Sequence, residues 1–516
     1  MQAWPRPDTM LGLSRAANAL AQAVDLKQSL CIVADYDCDG ATACAVLLLG
    51  LRRLGAKVDF VVPNRFRHGY GLSPGVVEEI ASALSPHWLV TVDQGITSIE
   101  GVAKAQGLGM QVIVTDHHLP GSQLPIAYAV LDPHQPGCSF SGRAIAGVGV
   151  AFYLLLGVRA ALRASTVRLD DLLSLVALGT IADLAPLDAL NRSLVMQGLQ
   201  RMRKGTMPPG LRALMEVAGV DPTTVKTSDL GFRIGPRINA AGRLESMRAG
   251  IACLTAPTLE EGLDLAAALD ATNTERKSIE RSMREQAFEG LQLEDASSAP
   301  VLWRSEWHEG VVGLVATRLR EKSHRPAIAL APAHEAGPNL WRGSGRSITG
   351  FHMRDALQRI DARAPGVLLR YGGHAMAAGI TVQTQNLARF AELFREEVAD
   401  QLGSDPGQEQ QLHDGPLPLE PTLQWAKQLE SEVWGQGYPE PLFVQPFNVA
   451  QQRVIKGMHL ACRLKDQRTA GSEFDAIWFG RSEPLPPNCQ LAFHVSVDRY
   501  LGTERVKLLV QHLVPQ

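Results

Sequence analysis

Three carboxylates at alternate positions, Asp35, Asp37 and Asp39, lie inside the stretch CIVADYDCDGAT at 31–42. Acids packed this closely repel one another, and the repulsion raises their pKa values unless cations neutralise the cluster. Hard oxygen donors suit Mg²⁺ or Mn²⁺. On this stretch alone two readings stand: a divalent-metal site at a strand end, or a solvated acidic turn. The flanking pattern names the elements that would position the acids. Cys31 to Ala34 read as the apolar end of a buried strand, Gly40 turns the chain, and ATACAVLLLGLRRLG reads as a helix. A buried strand has no structural reason to end in three acids.

The same arrangement recurs downstream. KVDFVVP is a second strand, HWLVTVD is a strand ending in Asp93, and MQVIVTD ends in Asp116 with His117 and His118 directly after it. IAYAVLDP is a further strand. Short apolar runs alternating with helical segments predict βαβ units and a parallel sheet. Ligands of such sheets bind beyond the carboxyl ends of the strands, and right-handed crossovers bring those ends to one edge. Asp35, Asp37, Asp39, Asp93, Asp116, His117 and His118 should therefore meet in one cleft, which favours the metal reading over the solvated turn.

The 516 residues suggest roughly three domains. With a formal net charge of -3 there is no global basic field, so any polyanion site must be a local basic patch beside the acids. The seven cysteines are odd in number and form no C-x-x-C pair, which argues against a zinc site or a disulfide framework and for a reducing cytoplasm. The opening MQAWPRPDTM has no apolar signal core, and no apolar run is long enough to span a bilayer. A soluble cytoplasmic protein is the expectation.

Further along, LSRAANALAQAVDL predicts an amphipathic helix before the first strand, and NRFRHGYGLSP predicts a loop carrying Arg65, Arg67 and His68. GVGVAFYLLLGVRAAL and LDDLLSLVALGTIADLAPL are apolar with helical spacing. Gly179 is expected to end the second of these, leaving Asp183 as an N-cap or a further metal ligand. The GVG at 147–149 lacks a third glycine and a preceding strand, so it reads as close packing, not a dinucleotide loop. LGFRIGPRINAAGRL interleaves Arg233, Arg237, Asn239 and Arg243 with small residues. That pattern suits close approach to phosphate by bidentate arginine, or else a surface loop with solvated arginines. A long charged helix is expected from about 258 to 293, linking two units. The second unit, about 300–402, holds the Gly/Ser loop GSGRS with Arg346, and YGGHAMAAGITV with His374. Such loops make phosphate nests, although GSGRS is no Walker motif. After a polar linker, five alternating segments predict a small antiparallel barrel of OB type, a shape that binds single-stranded nucleic acid or serves structure alone.

DYDCDG, VDQG, TDHH and GTIADLAPL, in that order, resemble the motif series of the DHH phosphoesterase superfamily. GYGLSP, AGVGVAFY, GPRINAAGRL, WHEGVVG, GSGRS and GGHAMAAG narrow the resemblance to the RecJ family of bacterial single-strand-specific exonucleases, from about residue 30 to the end. The resemblance implies an α/β architecture: a parallel-sheet DHH catalytic domain (1–256), a connecting helix (257–295), an α/β DHHA1 substrate-binding domain (296–405) and an antiparallel OB-fold-like domain (406–516). It implies degradation of single-stranded DNA 5′→3′ to mononucleotides with two Mn²⁺ or Mg²⁺ ions, in recombinational and mismatch repair. Single-strand-binding protein and a RecQ-type helicase are the implied helpers, and the implied state is a monomer. By position, the implied metal ligands are Asp35, Asp37, Asp39, Asp93, Asp116, His117 and Asp183, with His118 close to the scissile phosphate. Arg65, Arg237, Asn239, Arg243, Ser344, Arg346 and His374 are the implied substrate contacts. Ala34, Cys38 and Gln94 depart from the usual motifs, and the N-terminus is shorter than usual, which bears on the face it would cover. A phosphodiesterase for short oligonucleotides or dinucleotides is the alternative enzyme, but the third domain favours a polymer. A non-catalytic DNA-binding scaffold is the other alternative, and the intact acids argue against it.

Overall fold

Five apolar runs build one sheet: β1 (Ser29–Ala34), β2 (Lys57–Val61), β3 (Trp88–Val92), β4 (Gln111–Thr115) and β5 (Ala129–Leu131), in the order β2-β1-β3-β4-β5. All pairings in it are parallel. The computed structural model describes residues 4–64, 67–292, 299–333, 337, 339–403, 412–418, 420–469, 471–499 and 502–514. Helix α1 (Leu13–Asp25) precedes the sheet, and α2 (Cys38–Arg53), α3 (Pro74–Ala83) and α4 (Ile99–Gly107) are its crossovers. They cover both faces, which is why β1, β3 and β4 read as continuous apolar runs. The chain leaves β1 for β2 on one side and returns as β3 on the other, so the topological switch point lies between β1 and β3.

A helical layer follows: α5 (Gly147–Ala161), α6 (Leu173–Ala182), α7 (Ala189–Arg203), α8 (Pro209–Val217), the single turn α9 (Thr227–Asp229), a π-helical turn at Leu230–Ile234, α10 (Gly235–Leu244) and α11 (Arg248–Leu254). One expectation changes here: Gly179 lies inside α6 and does not end it. LGFRIGPRINAAGRL is helical, which sets aside the alternative of a surface loop. Its small residues serve contact: a Cβ on Gly242 would lie 2.0 Å from the Tyr36 carbonyl oxygen. Helix α10 therefore rests directly on the acidic loop.

Helix α12 (Leu259–Gln292) is the expected long helix, with 34 residues. It does more than link. Ala266 and Leu269 belong to the core around the first sheet, and Met283 and Ala287 to the core of the second unit. The expected end at 293 lies outside the described residues.

The second unit orders its strands β6-β7-β8-β10-β9, from β6 (Val301–Trp303), β7 (Ala327–Pro332), β8 (Leu340–Arg346), β9 (Leu368–Gly373) and β10 (Ala377–Gln383). Helices α13 (Val312–Ser323), α14 (Met353–Arg363) and α15 (Leu387–Leu402) complete it. GSGRS, expected as a loop, runs through the end of β8. Its glycines are packing residues: a Cβ on Gly343 would lie 2.7 Å from Leu330, and one on Gly345 2.9 Å from Met353 Sδ.

Helix α16 (Leu423–Ser431) leads to a closed barrel of β11 (Phe443–Ile455), β12 (His459–Asp466), β13 (Glu473–Phe479), β14 (Asn488–Asp498) and β15 (Arg505–Val514). Closure leaves no open edge. The strands pair antiparallel as expected, except for a short parallel match of β13 with β15. Among the described residues no helix is long and apolar enough to cross a membrane.

Candidate metal centre

Register places the strand-end residues side by side. Ala34 pairs with Val92 and Val92 with Thr115, so Asp35, Asp93 and Asp116 leave neighbouring strands at one level. Asp93 adopts a left-handed φ of 61°. Such backbone is uncommon outside glycine and clusters at functional sites, although aspartate tolerates it better than most residues. Asp37 caps α2 by accepting the Gly40 N–H at 3.0 Å. Asp39 is buried in the first turn of that helix, and its two oxygens accept N–H bonds from Gly147 (2.7 Å) and Val148 (2.9 Å) at the start of α5. Glycine is required there, because a Cβ on Gly147 would lie 2.6 Å from Asp93 Oδ1. Gly179 plays the same part in α6, where a Cβ would lie 2.8 Å from Asp39 Oδ1. That close approach brings Asp183, the C-terminal cap of α6, to the acids.

Among the described residues, three sets of side chains each offer ligand atoms within 4.8 Å of one another: Asp39, His117 and Asp183; Asp93, His117 and His118; and Asp35, Asp37 and Asp93. His117 Nε2 stands 3.1 Å from Asp93 Oδ1 and 3.9 Å from an oxygen of each of Asp39 and Asp183. Among the described residues, neither His117 Nε2 nor Asp93 Oδ1 has a hydrogen-bond partner. Burial, followed by the charge of Asp37, pushes Asp39 up to about 7 and lifts Asp35 well above the carboxylate range. Burial and Asp39 raise Asp93 strongly and Asp183 to about 9. Burial, then the charge of His118, lowers His117 to about 4, so its ring is neutral and free to donate a lone pair. Mutually repelling buried carboxylates, an orphaned imidazole nitrogen and an orphaned carboxylate oxygen form a donor set that fits Mn²⁺ or Mg²⁺.

Asp116 differs. Its Oδ1 accepts from His117 N (2.8 Å), His118 N (3.1 Å) and His118 Nδ1 (2.8 Å), and its Oδ2 accepts from Ile96 N (2.9 Å). Burial alone would raise its pKa, but these bonds and the His118 charge carry it below the usual range. Burial likewise opposes the His118 charge, yet Asp116 holds His118 up at about 9. Asp116, itself buried, thus forms an ion pair with the half-exposed His118 that orients the His118 ring, while its bonds to the two backbone N–H groups hold the turn that carries His117.

The second unit presents groups of opposite sign. On β8, Arg346 Nη1 donates to Ser344 Oγ (2.6 Å) and to the Gly345 carbonyl (2.9 Å). Gly313 in α13 packs against both side chains, since a Cβ there would lie 3.0 Å from Arg346 Nη2 and 3.3 Å from Ser344 Oγ. His374, in the β9–β10 connection, is lowered by burial and then by the positive charges of Arg346, His118 and His352. The charge of His118 acts on His374, so this face lies within electrostatic reach of the acid rim. Between the two, Arg243 Nη1 donates to the Gly310 carbonyl (3.4 Å), and a Cβ on Gly310 would lie 2.0 Å from the Arg243 carbonyl oxygen.

The chain matches the model of the DHH family N-terminal domain over residues 29–180, the DHHA1 domain over 297–400 and the RecJ OB domain over 413–512. It is 42% identical to the single-stranded-DNA-specific exonuclease RecJ of Escherichia coli K12, across 98% of this chain and 90% of that protein. The chain belongs to the RecJ family. RecJ of Thermus thermophilus is 33% identical across 95% of this chain and 69% of its own length. The crystal structure of T. thermophilus RecJ in complex with Mn²⁺ superposes with a TM-score of 0.82 at 30% identity, covering 98% of this chain and 72% of that one.

Within this RecJ-family fold, Asp35, Asp37, Asp39, Asp93, His117, His118 and Asp183 come together at the rim, while Ser344, Arg346 and His374 share the facing surface. Asp116 joins the rim through its N–H bonds, outside the three converging sets. Arg237 pairs with Asp270 of α12 at 2.8 Å, and Asn239 Oδ1 accepts from Cys38 N at 2.8 Å, so both brace the scaffold. Arg65 lies outside the described residues. Sequence reasoning missed Tyr70, whose hydroxyl donates to the Asp93 carbonyl (3.3 Å) and lies 3.4 Å from His118 Nδ1. It also missed Tyr36, which meets Tyr70 edge to face at 6.1 Å. Both tyrosines sit inside quoted motifs, but an aromatic carries no spacing rule like that of paired acids.

Proposed function

We propose that this chain is a Mn²⁺- or Mg²⁺-dependent exonuclease that degrades single-stranded DNA from the 5′ end to 5′-mononucleotides, in recombinational and mismatch repair. The observation that carries the reading is the gathering of five aspartates and His117 on one strand-end rim, within electrostatic reach of the face that carries Arg346, Ser344 and His374. Asp35, Asp37, Asp39, Asp93, His117 and Asp183 hold the cations. When bound, these supply Lewis-acid activation of water and neutralise charge on the scissile phosphate. Asp116 occupies His118 Nδ1, which leaves Nε2 as its free donor. A His118 held charged at neutral pH donates that proton or hydrogen bond to the phosphate in flight. Asp116 acts through His118 and His117 as a positioning residue.

Arg346, Ser344 and His374 grip the terminal phosphate, and that grip sets the polarity. Arg243, at the seam, reads the backbone between grip and rim. Arg237 and Asn239 keep α10 seated on the acidic loop and serve the substrate indirectly. The division into 1–256, 257–295, 296–405 and 406–516 is supported by separate apolar cores around the two sheets and the barrel. A single-strand-specific enzyme needs a strand-separating partner, consistent with a RecQ-type helicase and single-strand-binding protein as helpers to a monomeric enzyme. The seven free, buried cysteines suit a reducing bacterial cytoplasm. The test is an assay with single strand and duplex, labelled at either end, with Mn²⁺, with Mg²⁺ and with chelator. Metal-dependent release of mononucleotides from the 5′ end of single strand is the expected result. Release from the 3′ end, or activity that survives chelation, overturns the reading.

A further inference from the structure

The connection that follows Asp183 is gripped by a segment from the far end of the chain. The Leu187 N–H donates to the Gln436 carbonyl at 2.7 Å. Gly435 lies on the same connection: a Cβ there would come 2.8 Å from Leu187 Cδ1 and 3.8 Å from Ile181 Cδ1. Gly435 and Tyr438 close a tight turn through two mutual backbone bonds of 2.9 and 3.0 Å. Val433, just before that turn, is fully buried and belongs to the core of the first sheet, not to that of the barrel. Tyr438 stacks on Trp434 at 5.2 Å, and the Arg192 guanidinium of α7 caps the stack 3.7 Å from the Tyr438 ring. A linker that merely tethered a DNA-binding barrel would need none of this.

The contacts continue inward. Asn191, buried at the start of α7, donates from Nδ2 to the Pro186 carbonyl (2.8 Å) and to the Ala144 carbonyl (2.7 Å). Ala144 leads into the start of α5, whose Gly147 and Val148 N–H groups hold Asp39. One contiguous set of contacts thus joins the turn at 433–438 to the connection after Asp183 and to the cradle of Asp39. With His117 these two acids form one of the three converging sets.

We infer that the turn at 433–438 is a positioning element for Asp183 and Asp39, so that docking of the barrel segment sets the divalent-cation affinity of the acid rim before any DNA is bound. The inference rests on the metal reading proposed above. Its test is calorimetric titration of Mn²⁺ into the full chain without DNA, comparing wild type with Tyr438→Ala, Gly435→Val, Tyr438→Phe and Lys427→Ala. Tyr438→Ala and Gly435→Val should weaken Mn²⁺ binding at one site by about tenfold or more, the usual cost of losing support behind metal ligands. Tyr438→Phe, which keeps the stack, should bind as wild type, and so should Lys427→Ala, which alters α16 away from the turn. The nuclease turnover of Tyr438→Ala should recover at high Mn²⁺, which a partly unfolded protein would not show. If Gly435→Val does not fold, Arg192→Ala removes the cap of the stack without crowding and carries the test. Folded variants with wild-type Mn²⁺ affinity overturn the inference, whereas a wild-type chain that binds no Mn²⁺ overturns the metal reading itself.

Discussion

The acid rim and the Arg346 face solve opposite problems. At the rim, Asp93 and Asp183 are driven towards their neutral forms by burial and by neighbouring acids, and Asp93 Oδ1 has no donor among the described residues. On β8, Arg346 is already bonded to Ser344 and to its own strand. The first region needs positive charge from outside; the second, where burial and Arg320 disfavour the Arg346 charge, needs negative charge. A polyanion is repelled by the first and attracted by the second, so substrate can bridge them only when cations occupy the rim. Asp93→Asn tests this most severely. It keeps the shape that Gly147 must clear but removes one negative charge. Nuclease activity should fall by a factor on the order of 10²–10³ or more, while the metal-free protein should melt at a higher temperature because repulsion is relieved. Undiminished activity in the purified variant would erase the contrast.

Within the rim, Asp116 marks the boundary of that need for outside charge, since its lone pairs are engaged by N–H donors. Asp116→Asn should cost about 10–100-fold in activity, the range for groups that orient ligands and catalytic side chains. Its signature is in the pH profile. Asp116 holds His118 at about 9, so the variant should lose activity at lower pH on the alkaline side than wild type. An unchanged alkaline limb would mean that His118 does not act in its charged form.

On the facing surface, Arg346→Ala should leave metal affinity intact and weaken 5′-phosphorylated single strands by about tenfold, the worth of a charge-assisted hydrogen bond. Strands ending in 5′-hydroxyl should be affected much less. Comparing KM for the two ends separates a terminal-phosphate grip from a general basic surface. Equal losses would assign Arg346 to the backbone track instead.

How far each region was legible follows from the same difference. The rim could be read because strand alternation, glycine and acid spacing obey short-range rules, and parallel topology then brings Asp35, Asp93 and Asp116 to one level. Asp183 was only half legible, because the close approach of Gly179 to Asp39 is a tertiary fact. The Arg346 face was read from glycine content as a loop, yet β8 is a strand whose glycines make room for Leu330 and Met353. A packing glycine and a turn glycine look alike in sequence. In LGFRIGPRINAAGRL, likewise, nothing local shows that Gly242 meets the Tyr36 carbonyl. The barrel was legible from its alternation, but its anchorage on the core through Val433 was not, since no local pattern announces a partner so distant in the chain.

The smallest expected effect concerns the rim alone and needs no substrate. Carboxylates whose folded pKa lies above the unfolded value bind more protons when folded. Their contribution to stability is therefore fully present below the ordinary carboxylate range and is lost as pH rises, through about 7 for Asp39 and about 9 for Asp183. The metal-free chain should lose thermal stability progressively between mildly acidic and alkaline pH. The Asp116–His118 pair adds to this at the upper end, because His118 surrenders its charge near 9. Divalent cations bind the deprotonated acids, so their stabilising effect should grow over the same interval. Melting curves with chelator and with Mn²⁺, taken at several pH values, should diverge as pH rises. Parallel curves would mean that the rim is already neutralised by its own surroundings, and only the Arg346 face would then need charge from outside.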